Sequence, residues 1–312
     1  MGDYDIFYLS PKGLSSLAHR GDVDLRSCLY NLYPLMSSPM PGISGPKLVI
    51  EMGKNNCLGI LHRFGTPIDR LKAIKEVSKS GVPFGISIAL GKDINEFNEI
   101  EIPIAITAVE LGAVLIVTDC ANGYIPQHFD RGKILRDKFP DLALATGNVI
   151  NKEGAEYLKS CGFDYIRIGI GPGSVCLTRS VTGVGRNQLM AIRDCSPVDA
   201  HLISDGGISC SGNAVKSFAA GAEFVFLGGI LAESFESEHK GFIFGAASRH
   251  NHLANNKSIK SIEGKNMKVK KIRPLKDILD EFLWGIRSAC TYLDAQHYTD
   301  LQSTADIINV NE

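Results

Sequence analysis

Short apolar runs recur along the chain, separated by longer stretches in which apolar and polar residues follow a helical spacing. The runs begin near Pro34 (PLMSS), Cys57 (CLGIL), Pro83 (PFGISI), Val114 (VLIVT), Leu142 (LALAT), Tyr165 (YIRIG), His201 (HLIS) and Phe224 (FVFLG). They are nearly continuous in apolar and β-branched residues and edged by glycine or polar residues. That pattern predicts eight strands buried on both faces. Helices are expected between them. Pro67 to Ser80 has proline in its first turn and Ile68, Leu71, Ile74 and Val77 on roughly one face. A second helix is expected from Ser211 as N-cap through Val215 and Phe218. Gly81, Gly112, Gly162 and Gly221 each fall between a helix end and the next strand, where a left-handed backbone is favoured. The repeated helix–glycine–strand unit implies a parallel sheet with right-handed crossovers. With eight strands it closes into a (β/α)8 TIM barrel, an α/β fold.

Further along, residues 241–274 are polar and weakly periodic, which predicts a flap over the C-terminal face of the barrel. The basic residues there (Lys265, Lys268, Lys270, Lys271 and Arg273) are expected to form a solvated face. Trp284 and the apolar positions around it are expected to be core on a final helix. Residues 1–312 thus predict a single catalytic barrel domain with a flap at about 241–274 and no inserted regulatory domain.

Composition narrows the function classes. Hydrophobic residues make up 44% and charged residues 21%, ordinary for a globular domain whose core needs no staples. A net charge of −1 supplies no broad field toward nucleic acid or anionic membrane, so a bound phosphate must be held by local geometry. No apolar stretch reaches the roughly 18 residues of a membrane span. The first residues (MGDYDIFYLSPKG) lack a secretory pattern. Cysteines at 28, 57, 120, 161, 176, 195, 210 and 290 form neither a C-x-x-C pair nor a zinc-like spacing. They are expected to be buried, reduced thiols of a cytoplasmic protein.

Barrels of this kind carry their chemistry at the C-terminal ends of the strands. After the sixth strand comes GIGPGSVCLTRSVTGVG, in which Gly169, Gly171 and Gly173 leave backbone groups uncovered. Pro172 and Ser174 break a dinucleotide fingerprint, so the loop does not predict a Rossmann fold. It presents Cys176 beside Thr178 and Arg179, where a guanidinium and open amides would favour a thiolate nucleophile. After strands seven and eight come Asp205-Gly206-Gly207 and Gly228-Gly229, the usual phosphate-seating loops of such barrels, with Asp205 able to accept from ribose hydroxyls.

GPGSVCLTR-x3-TGVG resembles the family of GMP reductase and IMP dehydrogenase. In family order it is joined by Ser37-Ser-Pro-Met40, His62-Arg63, Asp119-Cys-Ala-Asn-Gly-Tyr124, Thr146-Gly-Asn-Val149, Ser204-Asp-Gly-Gly207, Leu227-Gly-Gly229, Glu263-Gly-Lys265 and Arg287-Ser-Ala-Cys-Thr-Tyr292. The resemblance runs nearly end to end and favours the reductase branch. The loop has GPGSVC and TGVG, Glu263-Gly-Lys265 is the reductase-like form, and the flap has no Arg-Tyr pair. Only about 20 residues separate His62 from the third strand, too few for the paired domain often inserted there in dehydrogenases.

The resemblance implies NADPH-dependent reductive deamination of GMP, or a closely related guanine-type nucleotide, to IMP and ammonia through a covalent Cys176 thioimidate. Thr178 and Glu263 would move the proton. Substrate would be held by Ser38, Met40, Asp205, Gly206, Gly207, Gly228, Gly229, Gly245, Ala246, Ala247 and Lys260. NADPH would face Arg63, Asp119, Cys120, Ala121 and Gly171. Carbonyls of Gly171, Gly173 and Cys176 would hold potassium, and the assembly would be a homotetramer. The chain departs from the reductase pattern at Pro41, Arg186-Asn187, Phe244, Ala246-Ala247 and Lys260-Ser261-Ile262. Losing hydroxyl donors there and gaining Ile262 implies altered recognition of the base or phosphate. IMP dehydrogenase-type oxidation and a non-catalytic purine-nucleotide-binding paralogue are the alternatives.

Overall fold

The computed structural model describes residues 2–244, 264–269 and 272–310. Eight parallel strands line the barrel: β1 (Leu35–Ser37), β2 (Gly59–Leu61), β3 (Phe84–Ile88), β4 (Ala113–Thr118), β5 (Ala143–Val149), β6 (Tyr165–Ile168), β7 (His201–Asp205) and β8 (Phe224–Leu227). Each pairs with its neighbour in sequence from β2 to β8, and β8 returns to β1 with Met36 opposite Phe226. The ring closes where Met36 bridges Leu58 in parallel, Ser37 N donating to Leu58 O at 2.9 Å. All eight expected strands are present, and the TIM barrel is the fold. The principal helices are α1 (Pro46–Lys54), α2 (Pro67–Ser78), α3 (Ile102–Glu110), α4 (Gln127–Lys138), α5 (Lys152–Ser160), α6 (Gln188–Cys195), α7 (Ser211–Ala219) and α8 (Leu275–Tyr292). Gly81, Gly112, Gly162 and Gly221 have φ of +71°, +97°, +95° and +117°, as a helix-to-strand reversal requires.

Strand side chains alternate between two faces, which divides the apolar residues into two cores. Leu35, Leu61, Ile86, Ile116, Leu144, Ile166, Leu202 and Val225 pack outward against helix residues such as Val49, Ile74 and Leu189. Met36, Ile60, Val117, Ala145, Tyr165, Ile203 and Phe226 fill the barrel interior. Two residues further along those strands, the interior face reads Ser38, His62, Asp119, Gly147, Arg167, Asp205 and Gly228. The site is this inner register carried past the apolar plug to the mouth.

Four expectations change. On α2 the buried positions are Arg70, Ile74 and Val77, while Ile68 is 65% exposed. Spacing of four and three puts Arg70 inward, where its guanidinium pairs bidentately with buried Glu101 at 3.0 and 2.7 Å. Ser211 is the first residue of α7 and Cys210 holds the cap position without a side-chain cap bond. The Ser211 hydroxyl is pressed against Gly285 of α8, where an added Cβ would lie 2.1 Å away. Trp284 is 56% exposed, because α8 buries Leu279, Phe282, Leu283 and Ile286 on its other face. In the basic cluster Lys265 and Lys268 are exposed, but Arg273 is largely covered and pairs with Glu281 and with Glu233; Lys270 and Lys271 lie outside the described residues.

Two antiparallel pairs sit outside the barrel. Phe7–Pro11 pairs with Ala305–Asn309, tying the ends of the chain together. Phe242–Phe244 pairs with Asn266–Lys268 at the base of the expected flap. No helix among the described residues is long and apolar enough to cross a membrane.

Candidate active site

The loop after β6 doubles back at the barrel mouth. Gly169 and Gly171 have φ of +140° and +86°, and the N–H of Cys176 closes a turn on Gly173 O at 3.0 Å. The turn leaves Cys176 half-buried, its thiol donating to Thr178 Oγ1 at 3.1 Å. Cys176 also bridges Gly264 in antiparallel fashion, and Lys265 N donates to Val175 O at 2.9 Å. The Cys176 loop is therefore backbone-paired with the residue that follows Glu263. Glu263 itself lies outside the described residues, as do Gly245, Ala246, Ala247 and Lys260.

Arg179 does something other than expected. Its guanidinium pairs bidentately with Asp3 at 2.7 Å on both nitrogens, donates from Nε to Ile170 O at 3.0 Å and also reaches Arg186 O. Its stem fills the space beside Gly171 and Gly185, where added Cβ atoms would meet Arg179 Cγ at 2.3 and 2.6 Å. With its donors taken up this way, Arg179 clamps the loop to the N-terminal segment rather than serving the thiol, which donates to Thr178.

The glycines that follow β7 and β8 are required by close approach. An added Cβ on Gly206 (φ +104°) would lie 2.7 Å from Pro172 Cγ, and one on Gly207 (φ +79°) 3.1 Å from the Tyr4 ring. On Gly229 it would meet Ser174 Oγ at 2.7 Å, and on Gly228 it would meet Met40 Sδ at 3.0 Å with Ser38 Cβ at 3.6 Å. Ser38, Met40 and the four glycines thus come together around the Cys176 loop. Beneath them, Tyr4 Oη bonds Ser204 and Ser217, and Gln188 Nε2 donates to Ile168 O at 2.6 Å.

A charged chain crosses the mouth. Arg63 Nε donates to Asp119 Oδ2 at 3.0 Å, and Arg167 Nη1 donates to Asp119 Oδ1 at 3.0 Å. Arg167 Nε and Nη2 reach Asp205 Oδ2 at 3.1 and 2.8 Å, and Asn148 Nδ2 donates to the same oxygen at 2.8 Å. Among the described residues nothing donates to Asp205 Oδ1, so one oxygen remains for a ligand. Burial alone would push the Asp119 carboxyl up; Arg167 and Arg63 overcome it and hold it below the usual carboxylate range. Burial opposes the Arg167 charge, and Asp205 and Asp119 more than restore it. Arg167 was missed from sequence, although an arginine within the apolar run YIRIG was the available signal.

Of the remaining cofactor candidates, Ala121 is exposed and Arg63 lies 4.6 Å over the Phe64 ring. The Cys120 thiol turns inward, donating to Asn122 O and Gly147 O at 3.1 Å each. Burial, with the Asp119 charge beside it, pushes this thiol up to about 12. It is a neutral donor that shapes the loop, leaving Arg63 and Asp119 as its charged groups. The departures Arg186 and Asn187 also have local work. Arg186 pairs with Asp194 at 2.7 Å, and Asn187 caps α6 through Leu189 N and Met190 N. The backbone oxygens of Gly171, Gly173 and Cys176 are donors an alkali cation accepts, and Gly173 O would share its role with the Cys176 N–H.

The model of the IMP dehydrogenase / GMP reductase domain matches residues 3–312. The chain is 31% identical to a GMP reductase of Photobacterium profundum over 295 residues, covering 89% of this chain and 84% of that one. It is 30% identical to GMP reductase 1 of Mus musculus, covering 99% and 95%, and 30% identical to a GMP reductase of Caenorhabditis elegans, covering 99% and 92%. The mouth of eight strands, its cysteine loop and its glycine cradles are accordingly those of a member of the IMP dehydrogenase / GMP reductase family.

Proposed function

We propose that this protein is a single-barrel oxidoreductase that reductively deaminates GMP, or a closely related guanine-type nucleotide, using NADPH. The observation that carries this reading is the Cys176–Thr178 pair at 3.1 Å on a loop backbone-paired to Gly264, next to Glu263 in sequence. Cys176 gives up its proton toward Thr178 Oγ1, and the sulfur bonds to carbon 2 of the purine. Thr178 and Glu263 return a proton to the exocyclic amine, which leaves as ammonia when its bond to carbon 2 breaks. NADPH, when bound on the Arg63 and Asp119 side, would supply the hydride that this carbon needs. The carbon–sulfur bond then breaks and Cys176 leaves as a thiolate, which a proton from solvent returns to the thiol, so a two-electron reduction of the base balances oxidation of the nicotinamide.

The other residues bind and orient. Asp205 Oδ1 accepts from ribose, and the N–H groups at Gly206, Gly207, Gly228 and Gly229 face the phosphate. Arg63 and Asp119 sit on the cofactor side, and a potassium ion on the Gly171, Gly173 and Cys176 carbonyls would hold the loop in shape. Arg167 spans the two halves through Asp119 and Asp205. The departures at Ala246, Ala247 and Ile262 are where the base preference would be set.

The test is NADPH oxidation with a panel of guanine nucleotides, on the wild type and on Cys176→Ala. Turnover and ammonia release in the wild type alone are expected. NADH formation from IMP would replace the proposal with the dehydrogenase reaction. Tight nucleotide binding without turnover would replace it with the non-catalytic paralogue.

A further inference from the structure

The opposite end of the barrel, where the strands begin, holds a second convergence of chemistry-bearing side chains. His201 is the first residue of β7, and Glu223 stands one residue before β8. Glu223 N donates to Leu202 O at 2.9 Å, so the sheet holds the two in register. His201 Nδ1 and Glu223 Oε2 are 2.8 Å apart, and Cys28 Sγ is 3.9 Å from each. The imidazole plane is set by Tyr165, stacked at 4.7 Å and 25°. Among the described residues this is the one group of His, Cys and carboxylate ligand atoms that all lie within 4.8 Å of one another.

The spacing suits one class of ion. Bonds of about 2.3 Å to sulfur and about 2.0–2.1 Å to nitrogen or oxygen, in a tetrahedron, separate sulfur from nitrogen by about 3.5 Å and nitrogen from oxygen by about 3.3 Å. The observed 3.9 and 2.8 Å depart from these by about half an ångström or less, within the reach of small side-chain rotations. A His–Glu ion pair needs no thiol. A sulfur equidistant from both partners is what a three-donor site requires, and the mix of S, N and O donors selects zinc over calcium or magnesium. The cluster opens into a depression of about 760 Å³ at the strand starts, where the Asp141 and Asp199 carboxylates also lie with Lys159. Room remains there for a fourth ligand.

We infer that Cys28, His201 and Glu223 form a three-ligand site for a zinc-class divalent cation, on the face of the barrel remote from Cys176. Binding displaces the thiol proton and the proton shared by imidazole and carboxylate. The experiment titrates the metal-free full-length chain with cobalt(II), a spectroscopic stand-in for zinc. The expected result is one tightly bound cobalt per chain, with tetrahedral visible bands and a thiolate-to-cobalt charge-transfer band, both displaced by equimolar zinc. Cys28→Ser abolishes the charge-transfer band and weakens zinc binding by more than about 10-fold. Cys210→Ser and Cys176→Ser leave both unchanged. Cys28 is exposed, and its side chain meets only His201, Glu223 and the Tyr165 hydroxyl, a set that serine can still hydrogen-bond, so its replacement does not threaten the fold. Absence of the band in the wild type, or its survival in Cys28→Ser, overturns the site. The readout is independent of turnover, so it stands or falls separately from the catalytic proposal.

Discussion

Replacing Arg167 with methionine removes the cation that joins Asp119 to Asp205 and lies 5.3 Å over the Phe226 ring, while keeping an aliphatic stem of similar length. Three hydrogen bonds go, at 2.8 to 3.1 Å, from a guanidinium whose residue is 6% exposed. Asp119 keeps Arg63 and Asp205 keeps Asn148, so neither carboxylate is abandoned, but two largely buried negative charges then face one another with no cation between them, Arg63 reaching Asp119 alone. Breaking a buried ion pair costs about 3–5 kcal/mol, a large share of the roughly 5–15 kcal/mol a domain has. Urea unfolding should show that loss as a lower midpoint at unchanged slope. The deficit also depends on pH. In the wild type the depressed Asp119 pKa contributes stability that is present above the unfolded value of about 3.9 and lost as pH falls through the folded value. In the variant the Asp119 carboxyl, with burial now opposed by Arg63 alone, titrates higher and becomes neutral on mild acidification, which removes that charge. The gap between the two proteins should therefore be widest near neutrality and narrow toward pH 4. A loss below about 1 kcal/mol, or a gap of equal size at pH 7 and pH 4, would refute an electrostatic role for Arg167.

Thr178→Val removes the hydroxyl that receives the Cys176 proton and should lower kcat by about 100-fold with a smaller change in KM; steady-state kinetics decides, and an unchanged kcat excludes Thr178 from proton transfer. Gly206→Ala places a Cβ 2.7 Å from Pro172 at φ +104°, and should cost about 1–3 kcal/mol and raise the nucleotide dissociation constant, measured by calorimetry. Burial lowers the His128 pKa to about 4, so the unfolded chain takes up a proton first on acidification. Stability present above about pH 6.5 should fall by about 3 kcal/mol toward pH 4, and His128→Leu should flatten that part of the thermal-melt profile; an unchanged profile would place the buried imidazole elsewhere. Asp3→Asn cuts the Arg179 clamp, and the Cys176 loop should then react faster with a bulky alkylating reagent at an otherwise similar melting temperature, an acceleration that mass spectrometry localises to Cys176.

The barrel could be read from the sequence because eight buried parallel strands leave an apolar signature that needs no partner to be recognised. The glycines at helix ends were legible because only glycine sits there without strain. Helix faces were harder, since Arg70 takes an inward position that hydrophobicity assigns to a neighbour, and a tryptophan such as Trp284 reads as core until its face is known. The cysteine loop and the glycine turns after β7 and β8 were legible because local spacing carries their geometry. The Asp3–Arg179 clamp and the charged chain through Arg167 join residues far apart in sequence, so no spacing could show them. The same holds for Cys28 and His201, which are 173 residues apart and form no motif until the barrel folds. Two thiols expected to be buried, Cys28 and Cys210, are exposed.

One consequence follows from the way Gly264 is held. The hairpin of Phe242–Phe244 with Asn266–Lys268 fixes both ends of the intervening segment, and the pairing of Val175 with Lys265 fixes its exit against the sulfur loop. Changes of length inside that segment are therefore absorbed between two anchored ends, at small entropic cost. Evolution can exchange the stretch between these anchors while the Cys176 loop keeps its backbone pairing with Gly264 and Lys265. The sequence of that stretch and the geometry of the cysteine loop are in this way separately heritable within one chain.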